Sequence, residues 1–243
     1  MLWFIAFLVS LGGSILQSSL GFGNGVFMMN FYPSMFEYQK AVALVQVASV
    51  SLTCAVVVRR FRFINWRVLF PILIPAFISS VIATRLSMGI DTSLMKLMLG
   101  ILLIVLSIYF SFSSKNVSLK PDVKSGVIAG LVAGAGTGLF GIGGPIAAMY
   151  FTPALSDKDE YIATIQCYFF LNGSLSLFVR LMSMSIFSSN ELSLVGLVIL
   201  AAVIGTFAGL RLVSMMNAAL LKKLIYAFIG INGLVIIAQY FMS

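Results

Sequence analysis

The chain has 243 residues, of which 60% are hydrophobic and 9% charged, with a formal net charge of +8 and no histidine. A soluble domain carries about 25% charged residues, so an ordinary water-soluble fold is excluded and an all-α polytopic membrane protein is expected. The lack of histidine and of any cysteine cluster excludes a zinc or haem site. The positive charge reads as the Lys/Arg bias of membrane loops, not as a nucleic-acid face.

Leu2–Leu20 is the first predicted helix. It has no basic start and no small-residue cleavage site, so it reads as a retained span rather than a signal peptide. The glycine knot Gly21-Phe-Gly-Asn-Gly25 follows, and then the apolar arm Val26–Phe36. One straight helix over Leu2–Phe36 would be about 52 Å long, whereas the hydrocarbon core is ~30 Å thick. The chain is therefore expected to turn at the knot and come back. Spans are predicted over Lys40–Val58, Arg67–Leu86 and Ser93–Phe112. A second set follows: Val123–Phe140, the knot Gly141-Ile-Gly-Gly-Pro145, the short arm Ile146–Leu155, and spans over Glu160–Met182, Leu192–Val213 and Ala218–Phe241. Trp3, Trp66, Tyr109 and Tyr240 suit interfacial anchors.

A shift of 120 residues lays Gly21 on Gly141, Gly23 on Gly143, Pro33 on Pro153 and Gln46 on Gln166. Beyond them a shift of 126 lays Arg85-Leu86 on Arg211-Leu212. The chain thus reads as a duplication of residues 1–118 and 119–243, each half a broken, re-entrant hairpin plus three transmembrane helices. If each knotted segment returns to its starting side, Arg59, Arg60, Arg62, Arg67, Lys115, Lys120, Lys124, Lys158, Arg211, Lys222 and Lys223 share one side. Only Lys40, Arg85, Lys96 and Arg180 face them. If each segment crosses once instead, the cations divide almost evenly. The positive-inside bias prefers the first arrangement. It makes the halves inverted repeats in the cytoplasmic (inner) membrane, with both termini outside the cytoplasm.

Glycines at this density break a helix, at a cost of roughly 1 kcal/mol each relative to alanine. Open backbone within lipid is tolerated only where protein or a wet cavity covers it. Two such breaks at matching places point to a transporter's binding site. The helix starts after the knots, expected near Val26 and Ile146, would offer unpaired N–H groups to an anion without any costly buried cation. Asn24 adds an amide, and Pro145 suits a first helical turn. Gln46 and Gln166 each need a partner, either a substrate oxygen or a neighbouring helix. Gln17 and Thr137, at matching positions before the knots, could line the same cavity. Asn30 and Asn172 read as helix–helix hydrogen-bonding residues. Arg180, near a helix end, reads as a side chain snorkelling to the interface. Gly130, Gly134 and Gly138 read as packing glycines, and Cys54 and Cys167 as small buried hydrophobes. Glu37, Asp91, Asp157, Asp159, Glu160 and Glu191 all flank predicted helices, so no buried acidic proton relay is expected.

The two knots, each leading to Pro33 or Pro153, the duplication and the length resemble the sulfite exporter TauE/SafE family over nearly the whole chain. The resemblance implies a carrier of sulfite, sulfonates or related sulfur-containing anions. It marks Gly21, Gly23, Asn24, Gly25, Gly141, Gly143, Gly144 and Pro145 as substrate contacts. Asn24 stands where glycine is more usual in the family, so the two hairpins need not bind alike.

The expected function is secondary transport, as export, of a small sulfur-containing oxyanion by alternating access. An anion channel, or an uptake carrier for another small anion, is the alternative. An intramembrane protease would need a serine–histidine pair or paired carboxylates within the spans, so no enzyme is expected. The expected partners are a small anionic substrate and the lipid bilayer, with homo-oligomerisation left open. Neither a cofactor, a metal nor nucleic acid is expected.

Overall fold

The computed structural model describes residues 1–109, 122–212, 230–231, 233–238 and 240–241, and every regular element among them is helical. The helices are α1 (Leu2–Leu20), α2 (Asn24–Met28), α3 (Tyr32–Met35), α4 (Tyr38–Arg60), α5 (Trp66–Gly89), α6 (Thr92–Ile108), α7 (Val123–Phe140), α8 (Gly144–Ala154), α9 (Lys158–Ser183) and α10 (Leu192–Leu212). Six of them (α1, α4, α5, α7, α9 and α10) are long and apolar enough to cross a membrane, and α6 is a shorter apolar helix. The described residues of 230–241 are helical and pack on α6, where a Cβ on Gly100 would meet Ile237 at 2.8 Å. The expected division at 118/119, the first part of the span Ala218–Phe241, and Lys115, Lys120, Lys222 and Lys223 lie outside the described residues.

Short polar side chains start the later helices. Asn65 accepts from the N–H of Arg67 (3.1 Å) and Val68 (3.2 Å) to open α5. Asp91 does the same for α6, Asp157 for α9, and Asp122 forms a capping box with Ser125 at α7. Each satisfies N–H groups that a helix start leaves without partners. Just before α10, Glu191 Oε1 accepts from Lys40 Nζ at 2.5 Å. That bond, then the Ser188 N–H, holds the Glu191 carboxyl below the usual carboxylate range.

Contacts between helices fix their directions. Helices α4 and α9 run antiparallel: Gln39 meets Arg180, Gln46 meets Ser176 and Arg60 meets Asp159. Helix α5 runs with α9, since Asn65 N–H donates to Thr164 Oγ1 (2.9 Å) and Thr84 bonds Ser176 (2.8 Å). Helix α7 also runs with α5, because Gly126, Gly130, Gly134 and Gly138 face Pro71, Ile72, Ala76 and Ser80 in turn. So α7 and α9 point the same way, and α8 between them runs back. The other hairpin obeys the same logic. Helix α1 runs with α10, Gly205 facing Leu11 and Gly209 facing Ile15. Helix α10 runs with α4, through Lys40–Glu191 at one end and Arg59 over the Phe207 ring at the other. Both knotted segments therefore turn and return, and the first arm of each packs on a helix of the opposite half.

The α5–α7 contact depends on missing side chains. A Cβ on Gly134 would lie 2.1 Å from Ser79 Oγ and 2.4 Å from Ala76 O. In lipid such backbone approach is a main source of helix association. Gly134→Val is expected to lower the unfolding temperature in detergent, by overpacking worth about 1–3 kcal/mol. Gly196→Ala, with no atom within 4 Å of the added carbon, should not.

One expected element differs. The arm Val26–Phe36 is not a single helix but breaks between α2 and α3. Asn30 Nδ2 donates to Val26 O at 2.6 Å and competes for a carbonyl that the backbone would use. Pro33 has no N–H to return to Met29. In the other hairpin Tyr150 stands at the place of Asn30, and α8 continues through Pro153 to Ala154.

Candidate functional site

The two knots are built alike at their first residue. Gly21 ends α1 at φ 85° and Gly141 ends α7 at φ 68°, both left-handed. Their N–H groups return to Gln17 O (2.8 Å) and Thr137 O (3.0 Å), which are themselves matching positions. Only glycine takes this conformation without strain. Two residues on, the knots diverge: Gly23 has φ 120°, Gly143 an ordinary −110°. The new helices begin at Asn24 and Gly144, two residues earlier than the expected starts near Val26 and Ile146.

The knots touch. A Cβ on Gly25 would fall 2.2 Å from Gly141 O, and one on Gly144 would fall 3.1 Å from Phe22 Cβ. Beside this contact lies a cavity of about 40 Å³, room for roughly three waters when one needs about 10–15 Å³. Gly23, Gly25 and Val26 line it from one knot, and residues 141–145 from the other. Gln17 and Thr137 close it from α1 and α7; Gln46 and Ser49 come from α4, and Phe169, Asn172 and Gly173 from α9. None of these residues carries a charge.

The polar side chains divide by whether they are satisfied. Gln46 Nε2 donates to Thr137 O (3.2 Å) and Ser176 Oγ (2.8 Å), and its Oε1 has no partner among the described residues. Asn172 is 1% exposed, and neither of its amide atoms has a partner among the described residues. An unpaired buried polar atom costs about 1–3 kcal/mol, so both side chains present unused hydrogen-bonding capacity to the cavity. Thr137 Oγ1 donates to Ala133 O (2.9 Å). Gln17 Nε2 donates to Gln166 Oε1 (3.2 Å), and Gln166 Nε2 to Gly21 O (3.2 Å).

Nine of the twelve residues expected at the site come together here: Gln17, Gly23, Gly25, Gln46, Thr137, Gly141, Gly143, Gly144 and Pro145. Gly21, Asn24 and Gln166 do not reach the wall. Gly21 faces Tyr161, and Gln166 lines a separate cleft. The Asn24 side chain turns back to α1, where a Cβ on Gly13 would lie 2.5 Å from its Oδ1. The other half carries Ala133 and Gly144 at these two places and so offers no amide there. Asn172 bridges no helices among the described residues, against expectation, and lines the cavity, while Asn30 bonds its own segment. A polar residue where the other half has Leu52 was the available signal.

Arg180 is a correction. It does not snorkel; it is 0% exposed. Its Nη1 donates to Gln39 Oε1 and its Nη2 to Gly138 O (2.5 Å). The last turn of α7, brought alongside α9, supplies a carbonyl from the negative end of the helix dipole, which holds the guanidinium inside.

The model of the family described as sulfite exporter TauE/SafE matches residues 5–236, which include both knots and every residue of the cavity wall. The chain belongs to the sulfite exporter TauE/SafE family. Its members are membrane transporters, and six spanning helices make this one a multi-pass membrane protein. No curated protein and no solved structure matches the chain.

Proposed function

We propose that this TauE/SafE member exports a small sulfur-containing oxyanion, sulfite or an organosulfonate, across the cytoplasmic membrane by alternating access between two inverted halves. The observation that carries the reading is the uncharged cavity where the two knots meet, with the Asn172 amide on its wall and without a partner among the described residues. An anion there gains N–H donors without the cost of a cation at bilayer depth. The first turn of α8 supplies such donors: Ala147 is the first to bond back, to Gly143 O (3.2 Å), so the N–H groups before it have no intrahelical partner. Asn172 Nδ2 adds a side-chain donor. Gln46, oriented by its bonds to Thr137 and Ser176, turns an acceptor inward for a protonated form of the anion or a water that travels with it. The antiparallel course of the matching helices α4 and α9 supports inversion of the halves, and the charge count supports termini outside the cytoplasm.

The test is flux of radiolabelled sulfite in proteoliposomes containing the full chain. Saturable uptake, inhibited by sulfonates and thiosulfate and not by simple carboxylates, is expected. Unitary currents would instead indicate a channel, and an absence of any anion flux or ligand-induced thermal shift would remove the reading.

A further inference from the structure

Asn172, Ser176 and Arg180 follow one another at intervals of four on α9, and so share one face. Asn172 faces the cavity, and Ser176 and Arg180 continue outward from it within a file of hydrogen bonds. Gln46 Nε2 donates to Ser176 Oγ, which shares a hydrogen with Thr84 Oγ1 at 2.8 Å. Ser87 Oγ donates to Thr84 O at 2.7 Å, and Arg180 Nη1 reaches Ser87 Oγ at 3.5 Å. The file ends on a guanidinium that is fully buried. Among the described residues its Nε has no partner and neither ion pair includes it. A buried cation without a counter-charge is costly and in membranes marks ion or substrate paths. Capping the end of α7 explains the bond to Gly138 O. It explains neither the vacant Nε nor the file of hydroxyls leading from the cavity.

The repeat supplies an independent observation. The 120-residue counterparts of Arg180 and Gln39 are Arg60 and Asp159, which also pair. The pair Gln46–Thr137 likewise corresponds to Gln166–Gln17, also hydrogen-bonded. At the Arg60 end there is a cleft of about 40 Å³, lined among others by Arg59, Arg60 and Gln166. Gln17 lines the central cavity and Gln166 this cleft, so the two spaces adjoin across the Gln17–Gln166 bond. One end of the α4–α9 pair is thus a basic cleft. At the other end the matching pair, Arg180 with Gln39, is buried.

We propose that the polar file is the closed counterpart of that cleft, and that Arg180 binds the travelling oxyanion on the second leg of its path. When this end opens, the guanidinium exchanges Gln39 Oε1 and Gly138 O for oxygens of the anion, and Ser176 and Thr84 line the way. The inference rests on the anion-transport reading and adds a second binding residue to it.

Three proteins reconstituted as full chains test it: the unsubstituted chain, Arg180→Gln and Arg180→Lys. Arg180→Gln is expected to lose sulfite flux by roughly ten- to a hundredfold, the worth of one charged hydrogen bond, while sulfite binding in detergent stays within about twofold of the unsubstituted chain. Arg180→Lys, which keeps the charge, is expected to restore much of the flux. Full flux in Arg180→Gln, or flux, binding and thermal stability falling together while Arg180→Lys restores only stability, would overturn the proposal in favour of a helix cap. A second measurement does not depend on those variants folding. In a chain carrying Cys54→Ala, Cys167→Ala and Ser176→Cys, an anionic methanethiosulfonate is expected to react roughly tenfold faster than its trimethylammonium analogue, because the buried cation favours anions. Equal rates, or no reaction with either, would count against the path. Failure of the transport reading itself looks different: the unsubstituted chain would bind no sulfite.

Discussion

Gly143→Leu is expected to abolish sulfite transport, by roughly a hundredfold or more, in a bundle that still inserts and folds. The reason is position. A Cβ on Gly143 would lie 2.2 Å from Thr137 Oγ1 and 2.5 Å from Ala133 O. The backbone of the second knot must then leave the cavity wall, and a shift of ~1 Å at a reacting or binding group is enough for a loss of about a hundredfold. Gly23→Leu should also fail, for a different reason. No atom lies within 4 Å of its added carbon, but φ 120° is a region that side chains avoid, at about 1–3 kcal/mol. Gly173→Ala is the control. It lines the same cavity, its added carbon meets Val50 Cγ2 at an ordinary 3.6 Å, and it lies inside α9, where alanine gains about 0.5–1 kcal/mol. It should keep the fold and discriminate more strongly against bulky sulfonates. Normal sulfite flux in Gly143→Leu, with the variant correctly inserted, would detach the second knot from transport.

Much of the architecture was legible because it follows from length and from glycine. The predicted limits of α1 and α7 coincide with the observed ones, since a left-handed glycine stops each helix. The returning course followed from comparing segment length with bilayer thickness. What escaped depends on neighbours that sequence distance hides. Asn30 breaks the first returning arm through one side-chain bond to Val26 O, a choice between equally local options. Arg180 looked peripheral because it sits late in its helix, yet the end of α7 and the start of α4 close over it. Repeat symmetry drew attention to Gln46 and Gln166 as a pair and away from Asn172, whose counterpart is Leu52. In the folded chain Gln166 is occupied by Gln17 and Gly21, whereas Asn172 has no partner among the described residues. Asymmetry between the halves, not their likeness, marks that residue.

Asn172→Leu should therefore separate stability from function. Both amide atoms of Asn172 are buried without a partner among the described residues. Each such group costs about 1–3 kcal/mol when dry, and less where a cavity water reaches it. Leucine is close in volume, removes both polar atoms, and is what the other half carries at Leu52, itself 0% exposed. The variant is expected to gain about 1 kcal/mol, read as a higher unfolding temperature in detergent. The same change deletes a donor from the cavity wall, so sulfite affinity and flux should fall by roughly ten- to a hundredfold. Gln46→Leu makes the contrast. It cuts the bonds to Thr137 O and Ser176 Oγ, and should lose stability and transport together. A stabilised Asn172→Leu chain that still binds and carries sulfite would show that the anion does not use this amide. A destabilised one would mean that the side chain has a structural partner after all.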